Sequence, residues 1–186
     1  MQLLTLLSLV STVILSVSHA SALPASGDTL EARDAEACAD PNTAVALLRA
    51  WNPSAGDHFY TTSAAEMETA IAADGYRSEG DAARVFRSSV LSSVPLYRMY
   101  SAHARDHFYT TSAAERAAAI AQDGYADEGI AAWVYPAQVC GAVPLYRAYN
   151  PGVADHFYTA ERAELLNAVK VDGYVDEGIA GYVLPA

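Results

Sequence analysis

Three Asp-His dipeptides are the residues best equipped for chemistry: Asp57-His58, Asp106-His107 and Asp155-His156, each opening the string D-H-F-Y-T. A carboxylate that meets an imidazole can activate a nucleophile or help to bind a metal. Neighbours along a strand point to opposite faces, however, so the Asp and His of one dipeptide do not naturally meet. The chain also lacks a G-x-S-x-G elbow, an H-E-x-x-H pair and clustered Cys/His spacing. Catalysis needs distinct groups in different roles at one site, whereas this pattern supplies the same role three times. A hydrolase is therefore the last-ranked reading, and no catalytic residue, metal or cofactor is assigned. Convergence of the three histidines on a metal stays open as a minor alternative.

Arg49, Arg98 and Arg147 fall among apolar residues, where an unpaired guanidinium is costly. Asp57, Glu79 and their equivalents are the expected partners. Tyr60, Tyr109 and Tyr158, with Tyr76, Tyr125 and Tyr174, are expected to be half-buried, ring inward and hydroxyl toward a partner or water. Saccharide recognition commonly sets an aromatic platform beside Asp, Glu or His acceptors. The best-preserved set is Asp106, His107, Tyr109, Tyr125 and Glu128, with Asp155, His156, Tyr158, Tyr174 and Glu177 as its counterpart. These ten are the candidate ligand-binding residues.

The elements that must position them form a repeat. Arg49, Arg98 and Arg147 are spaced by 49 residues, as are His58, His107 and His156, and Glu79, Glu128 and Glu177. Three units follow, 44–90, 93–139 and 142–186. Within each, strings such as V-P-L-Y-R-M-Y alternate like a strand, and D-H-F-Y-T is its hairpin partner. S-A-A-E at Ser63–Glu66 and Ser112–Glu115 reads as a capping box, with serine and glutamate there mainly to start a helix. Gly75, Gly124 and Gly173 supply the left-handed residue that ends it. In the third unit the cap falls on Glu161, so that helix should start less crisply or move back to Thr159. The segment after G-Y reads as a turn and a last strand, which in the second unit stops at Pro136.

The expected fold class is thus α+β and β-rich, three strand-strand-helix-strand repeats. Cys38 and Cys140 lie just ahead of the first strands of units one and three. A disulfide requires Cα atoms within about 7 Å, which is easy if every unit touches both others and hard in an open stack. The expectation is one disulfide-linked, pseudo-threefold domain over residues 38–186, trefoil- or propeller-like.

The first residues, M-Q-L-L-T-L-L-S-L-V-S-T-V-I-L-S-V-S-H-A-S-A, make an apolar run ending in small residues, and residues 1–22 read as a secretion signal. The Ala/Ser-rich, charged segment 23–37 reads as a flexible arm or pro-segment. A secreted, extracellular destination also favours the disulfide. The formal net charge of −11 disfavours nucleic acid and anionic membrane as partners.

The string V-P-L-Y-R-x-Y-N-P, D-H-F-Y-T-T-S, G-Y and E-G-I-A-x-Y-V resembles a repeat domain of unknown function found in secreted fungal proteins and in secreted or wall-associated bacterial proteins. The likeness runs from Val45 to Pro185. In bacterial relatives the module often accompanies cell-wall-directed enzymes or surface proteins, which implies a glycan- or wall-binding accessory role. No catalytic residues come with the family. The resemblance makes a multivalent, lectin-like binder of glycan or cell-wall polysaccharide the first expectation and a structural or protein-interaction module the second. Unit one departs from the pattern at Ala46, Leu48, Asp81 and Arg84, and if the tyrosine and terminal aromatic it lacks serve a ligand, it is the weakest site.

Overall fold

The computed structural model describes residues 38–186. The predicted signal and arm lie outside these residues. After a short 3-10 turn at Pro41–Thr43, each unit runs strand, strand, helix, strand. Unit one has β1 (Val45–Asn52), β2 (Asp57–Thr61), α1 (Ala64–Ala73) and β3 (Arg77–Val85). Unit two has β4 (Val94–Ser101), β5 (Asp106–Thr110), α2 (Ala113–Gln122) and β6 (Ala126–Val134). Unit three has β7 (Val143–Asn150), β8 (Asp155–Thr159), α3 (Arg162–Val171) and β9 (Val175–Val183). The strands form three separate antiparallel sheets ordered β2-β1-β3, β5-β4-β6 and β8-β7-β9, not one continuous barrel.

Local rules account for each unit. The hairpin pairs Arg49 with Tyr60 and Trp51 with His58 on one face, and Ala50 with Phe59 on the other. Phe59 and Ala50 are covered by Met67 and Ala70 of α1, so a short helix needs only one narrow apolar stripe. Ser63 caps α1 by accepting from the Glu66 N–H at 3.2 Å, and Ser112 does the same for Glu115 at 3.1 Å. The reciprocal half of the box is not made: the Ser63 N–H donates to Thr61 Oγ1, which frees Glu66 for another partner. Glu161 makes no side-chain cap bond, yet α3 still begins at Arg162 and does not move back to Thr159. Gly75, Gly124 and Gly173 hold φ near +80°, the left-handed stop expected of them.

The turn from β1 to β2 also requires a left-handed residue. Gly56 fills that position in unit one, but units two and three place Arg105 (φ 60°) and Ala154 (φ 59°) there. A left-handed L-residue costs roughly 1–2 kcal/mol, partly offset by the greater flexibility of unfolded glycine. Ala154→Gly is therefore expected to raise unfolding free energy by about 0.5–1 kcal/mol, read as a higher urea midpoint at unchanged slope. A lower midpoint would contradict the strain.

Each sheet leaves β2, β5 or β8 at an edge, where outward N–H and C=O groups lack strand partners. Side chains of the other units satisfy them. Tyr60 Oη donates to the Tyr158 carbonyl and accepts the Tyr158 N–H, both at 2.8 Å. Tyr158 treats Tyr109 in the same way, and Tyr109 treats Tyr60. The three rings meet edge to face at 5.3–5.5 Å between centroids. Two residues earlier on each edge, the His58, His107 and His156 N–H groups donate to Asp155, Asp57 and Asp106 respectively. D-H-F-Y-T thus recurs because its Asp and Tyr each complete the exposed edge of another copy.

One apolar cluster takes Leu47, Leu96 and Leu145 and the three tyrosines from all units. Isolated bridges Arg84–Leu184, Phe86–Trp133 and Tyr135–Tyr182 connect every pair of units at the ends of the third strands. Beside them, Cys38 and Cys140 form a disulfide with Cα atoms 5.5 Å apart. Among the described residues no helix is long and apolar enough to cross a membrane.

Candidate functional site

The same inter-unit pairing creates three clefts. Arg49 leaves β1 and grips Glu164 of α3 through two hydrogen bonds, Nη1 at 3.0 Å and Nη2 at 2.8 Å. Arg98 grips Glu66 and Arg147 grips Glu115 in the same two-pronged way. Each guanidinium lies 5.2 Å from a phenylalanine ring centroid of the same neighbouring unit: Phe157, Phe59 or Phe108. A second carboxylate approaches from the arginine's own unit, with Glu79 Oε2 2.9 Å from Arg49 Nε. That contact is off the N–H direction, so it is electrostatic rather than a directed hydrogen bond.

Burial pushes the Glu66 carboxyl up, but hydrogen bonds from Arg98 and Thr61 outweigh it and hold the group below the ordinary glutamate range. Glu115 and Glu164 are lowered for the same reasons by Arg147 with Thr110 and by Arg49 with Thr159. The capping-box spacing assigns Glu66 and Glu115 to starting their helices. Their carboxylates instead pair units.

Glu79 is aimed by a bulge. The register passes from Arg49 opposite Gly80 to Ala50 opposite Ser78, which leaves Glu79 as the extra residue, and Gly80 accepts the left-handed φ of 84°. Glu128–Gly129 and Glu177–Gly178 repeat the device.

The histidines sit between two carboxylates. His58 Nδ1 donates to Asp155 Oδ2 at 2.7 Å, and His107 and His156 donate to Asp57 and Asp106 at 2.6 Å. Nε2 then turns toward the cleft, 3.6 Å from Glu79 in the first case. Each ring also lies against the aromatic that pairs with it across the hairpin: Trp51, Tyr100 or Tyr149, at 4.5–4.6 Å.

The aspartates, not the histidines, converge. One carboxylate oxygen from each of Asp57, Asp106 and Asp155 lies within 4.8 Å of the other two, all fully buried. Each carboxylate already accepts from a backbone N–H, an imidazole and the hydroxyl of Tyr76, Tyr125 or Tyr174. Burial first, and the adjacent Asp second, push those three hydroxyls well above the ordinary tyrosine range. They are donors held neutral.

Three concave spaces result, one at each junction between units. The first, about 470 Å³, is walled by Trp51, His58, Glu79 and Arg49 of unit one and by Phe157, Glu164, Asp172 and Tyr174 of unit three. The second, about 600 Å³, takes Tyr100, His107, Glu128 and Arg98 of unit two with Phe59, Glu66, Asp74 and Tyr76 of unit one. The third, about 410 Å³, takes Tyr149, His156 and Glu177 of unit three with Phe108, Glu115, Asp123 and Tyr125 of unit two.

This geometry redistributes the ten sequence candidates. His107 and Glu128 share one cleft, while Tyr125 lies in the next with His156 and Glu177, and Tyr174 in the one after. The clefts are junctions, and a set drawn from one repeat is split between two of them. Tyr109 and Tyr158 are corrected from half-buried to 1% exposed, their hydroxyls consumed by strand edges, so they hold the core and offer no ligand platform. Asp106 and Asp155 are likewise buried behind the clefts with every oxygen engaged. Asp57 serves a histidine and a tyrosine and not an arginine.

Sequence reasoning passed over Trp51, Tyr100 and Tyr149, although each stands two residues after the repeated arginine and therefore on its face of the strand. It also passed over Asp74, Asp123 and Asp172, the residues that close each helix. Unit one contributes the indole of Trp51 to its cleft.

A family model described as Domain of unknown function (DUF5648) matches residues 46–184. No curated protein and no solved structure matches the chain.

Proposed function

The chain belongs to the family described as Domain of unknown function (DUF5648), and from the clefts it builds we propose that it is a secreted, non-catalytic module that binds glycan or cell-wall polysaccharide at three junctions. The observation that carries this reading is the threefold recurrence of one cleft: an aromatic ring, an imidazole and three carboxylates, two of them held by an arginine of the junction. An aromatic face suits the apolar face of a pyranose, and fixed acceptors suit its hydroxyls. In this reading the three units close into a pseudo-threefold ring, so the clefts are held at fixed spacing. Weak individual sites then gain by avidity on a polymer carrying many copies of one motif. The disulfide fits an oxidising, extracellular setting.

A glycan array with the full chain tests the proposal, alongside a Trp51→Ala/Tyr100→Ala/Tyr149→Ala variant. All three rings are only partly buried, so the variant should fold. Expected are signals on wall-type polysaccharides that the triple variant loses at least tenfold. An array blank for the native chain, or equal signals from the variant, would overturn the proposal.

A further inference from the structure

We infer that the clefts select saccharides bearing free primary amines, as in deacetylated hexosamine chains, over their neutral or acetylated counterparts. This deepens the proposed saccharide reading and rests on it. The charge of each cleft is lopsided. In the Trp51 cleft one arginine faces Glu79, Glu164 and Asp172. That arginine is already paired with two of the three carboxylates, each terminal nitrogen bonded to Glu164 and Nε against Glu79, and its side chain is only 12% exposed. Glu79 and Asp172 keep lone-pair capacity beyond their contacts with Arg49 and Asn167. The cleft therefore sets three carboxylates against one arginine that two of them already neutralise, a poor host for an anionic sugar. An ammonium group placed there gains the carboxylates and the adjacent indole face together.

The three clefts should differ in a definite order. Trp51 is the strongest cation-binding ring of the three platforms, the other two being phenols. The Tyr100 cleft carries a second arginine, Arg105, on its wall, which opposes a cationic ligand. The Tyr149 cleft has Glu115, Asp123 and Glu177 and no such extra base. Affinity for an amine should fall from the Trp51 cleft through the Tyr149 cleft to the Tyr100 cleft.

Calorimetric titration of the full chain with a glucosamine hexamer, its fully N-acetylated form and a neutral glucose hexamer tests this, at a pH where the amines are protonated. Expected is roughly tenfold or tighter binding of the free amine form, with the advantage shrinking at high salt. Asp74→Asn, Asp123→Asn and Asp172→Asn together remove one exposed carboxylate per cleft. That variant should lose about three- to tenfold of the amine advantage while binding the acetylated hexamer as before. Arg105→Ala should strengthen amine binding at the Tyr100 cleft alone. If the acetylated hexamer binds as tightly as the free amine, the charge inference fails and the saccharide reading stands. If no hexamer binds, both fail. Equal binding of an oligolysine would show attraction of any polycation and overturn selectivity for the sugar.

Discussion

Replacing Tyr109 with Phe should lower the unfolding free energy by about 3 kcal/mol, and replacing Tyr60, Tyr109 and Tyr158 together should leave no cooperative fold. The ring volume is unchanged, so no cavity contributes. What is lost is one hydroxyl that accepts the Tyr60 N–H and donates to the Tyr60 carbonyl, both at 2.8 Å and both buried. An unsatisfied buried polar group costs roughly 1–3 kcal/mol, and two are created. The threefold variant creates six. Even with imperfect additivity between touching residues, the loss approaches the roughly 5–15 kcal/mol that holds a typical domain. Urea unfolding reads the single variant as a lower midpoint, and loss of near-ultraviolet dichroism reads the triple. A midpoint shift below about 1 kcal/mol would mean that water satisfies these edges, and the unit junctions would then owe little to the tyrosines.

The second large effect belongs to the sulfur bridge. Cys38 and Cys140 are 102 residues apart in sequence, so their bond restricts the unfolded chain strongly. On the chain-entropy account a loop of that length is worth up to about 4.7 kcal/mol, with 2–5 kcal/mol typical on removal. Cys38→Ser/Cys140→Ser is expected to cost about 4 kcal/mol, which for a domain of this size moves the melting temperature down by roughly 8–16 °C. The bridge ties the segment before β1 to the segment before β7, beside Phe86, Tyr135 and Leu184 where all three units meet. Its removal should therefore loosen the contact of unit three with unit one before it disturbs any single unit. Hydrogen exchange should rise first at the Arg84–Leu184 bridge. An unchanged melting point under reduction would contradict this.

Much of the unit was legible in its letters. The hairpin, the serine caps of α1 and α2 and the glycine stops follow from rules that act over a few residues. The cysteine pair was legible too, from two positions and a distance limit. What escaped was the choice of partner. Asp57 meets His107 and not His58, Arg98 meets Glu66, and Tyr60 meets both other tyrosines. Because all copies carry the same residues, the pattern does not encode which copy's Asp faces which copy's His. That is decided by how the sheets stand against one another.

The same ambiguity explains the glutamates of α1, α2 and α3. The spacing of Glu66 and Glu115 from serine suits a capping box, but a guanidinium from another unit is a stronger partner than a cap N–H. Tyr109 and Tyr158 were misjudged because an aromatic with a polar tip suits both a ligand platform and a buried edge. Burial tells them apart.

The central claim is that packing between units and ligand capture are one construction, with three sites that exist only where two units meet. Amide and indole NMR of the labelled full chain, titrated with the glucosamine hexamer, tests it most directly. Shifts should gather in three groups, around Trp51 with Tyr174, Tyr100 with Tyr76, and Tyr149 with Tyr125, each group spanning two units. Shifts confined within one unit, or gathered on loops away from these rings, would contradict it.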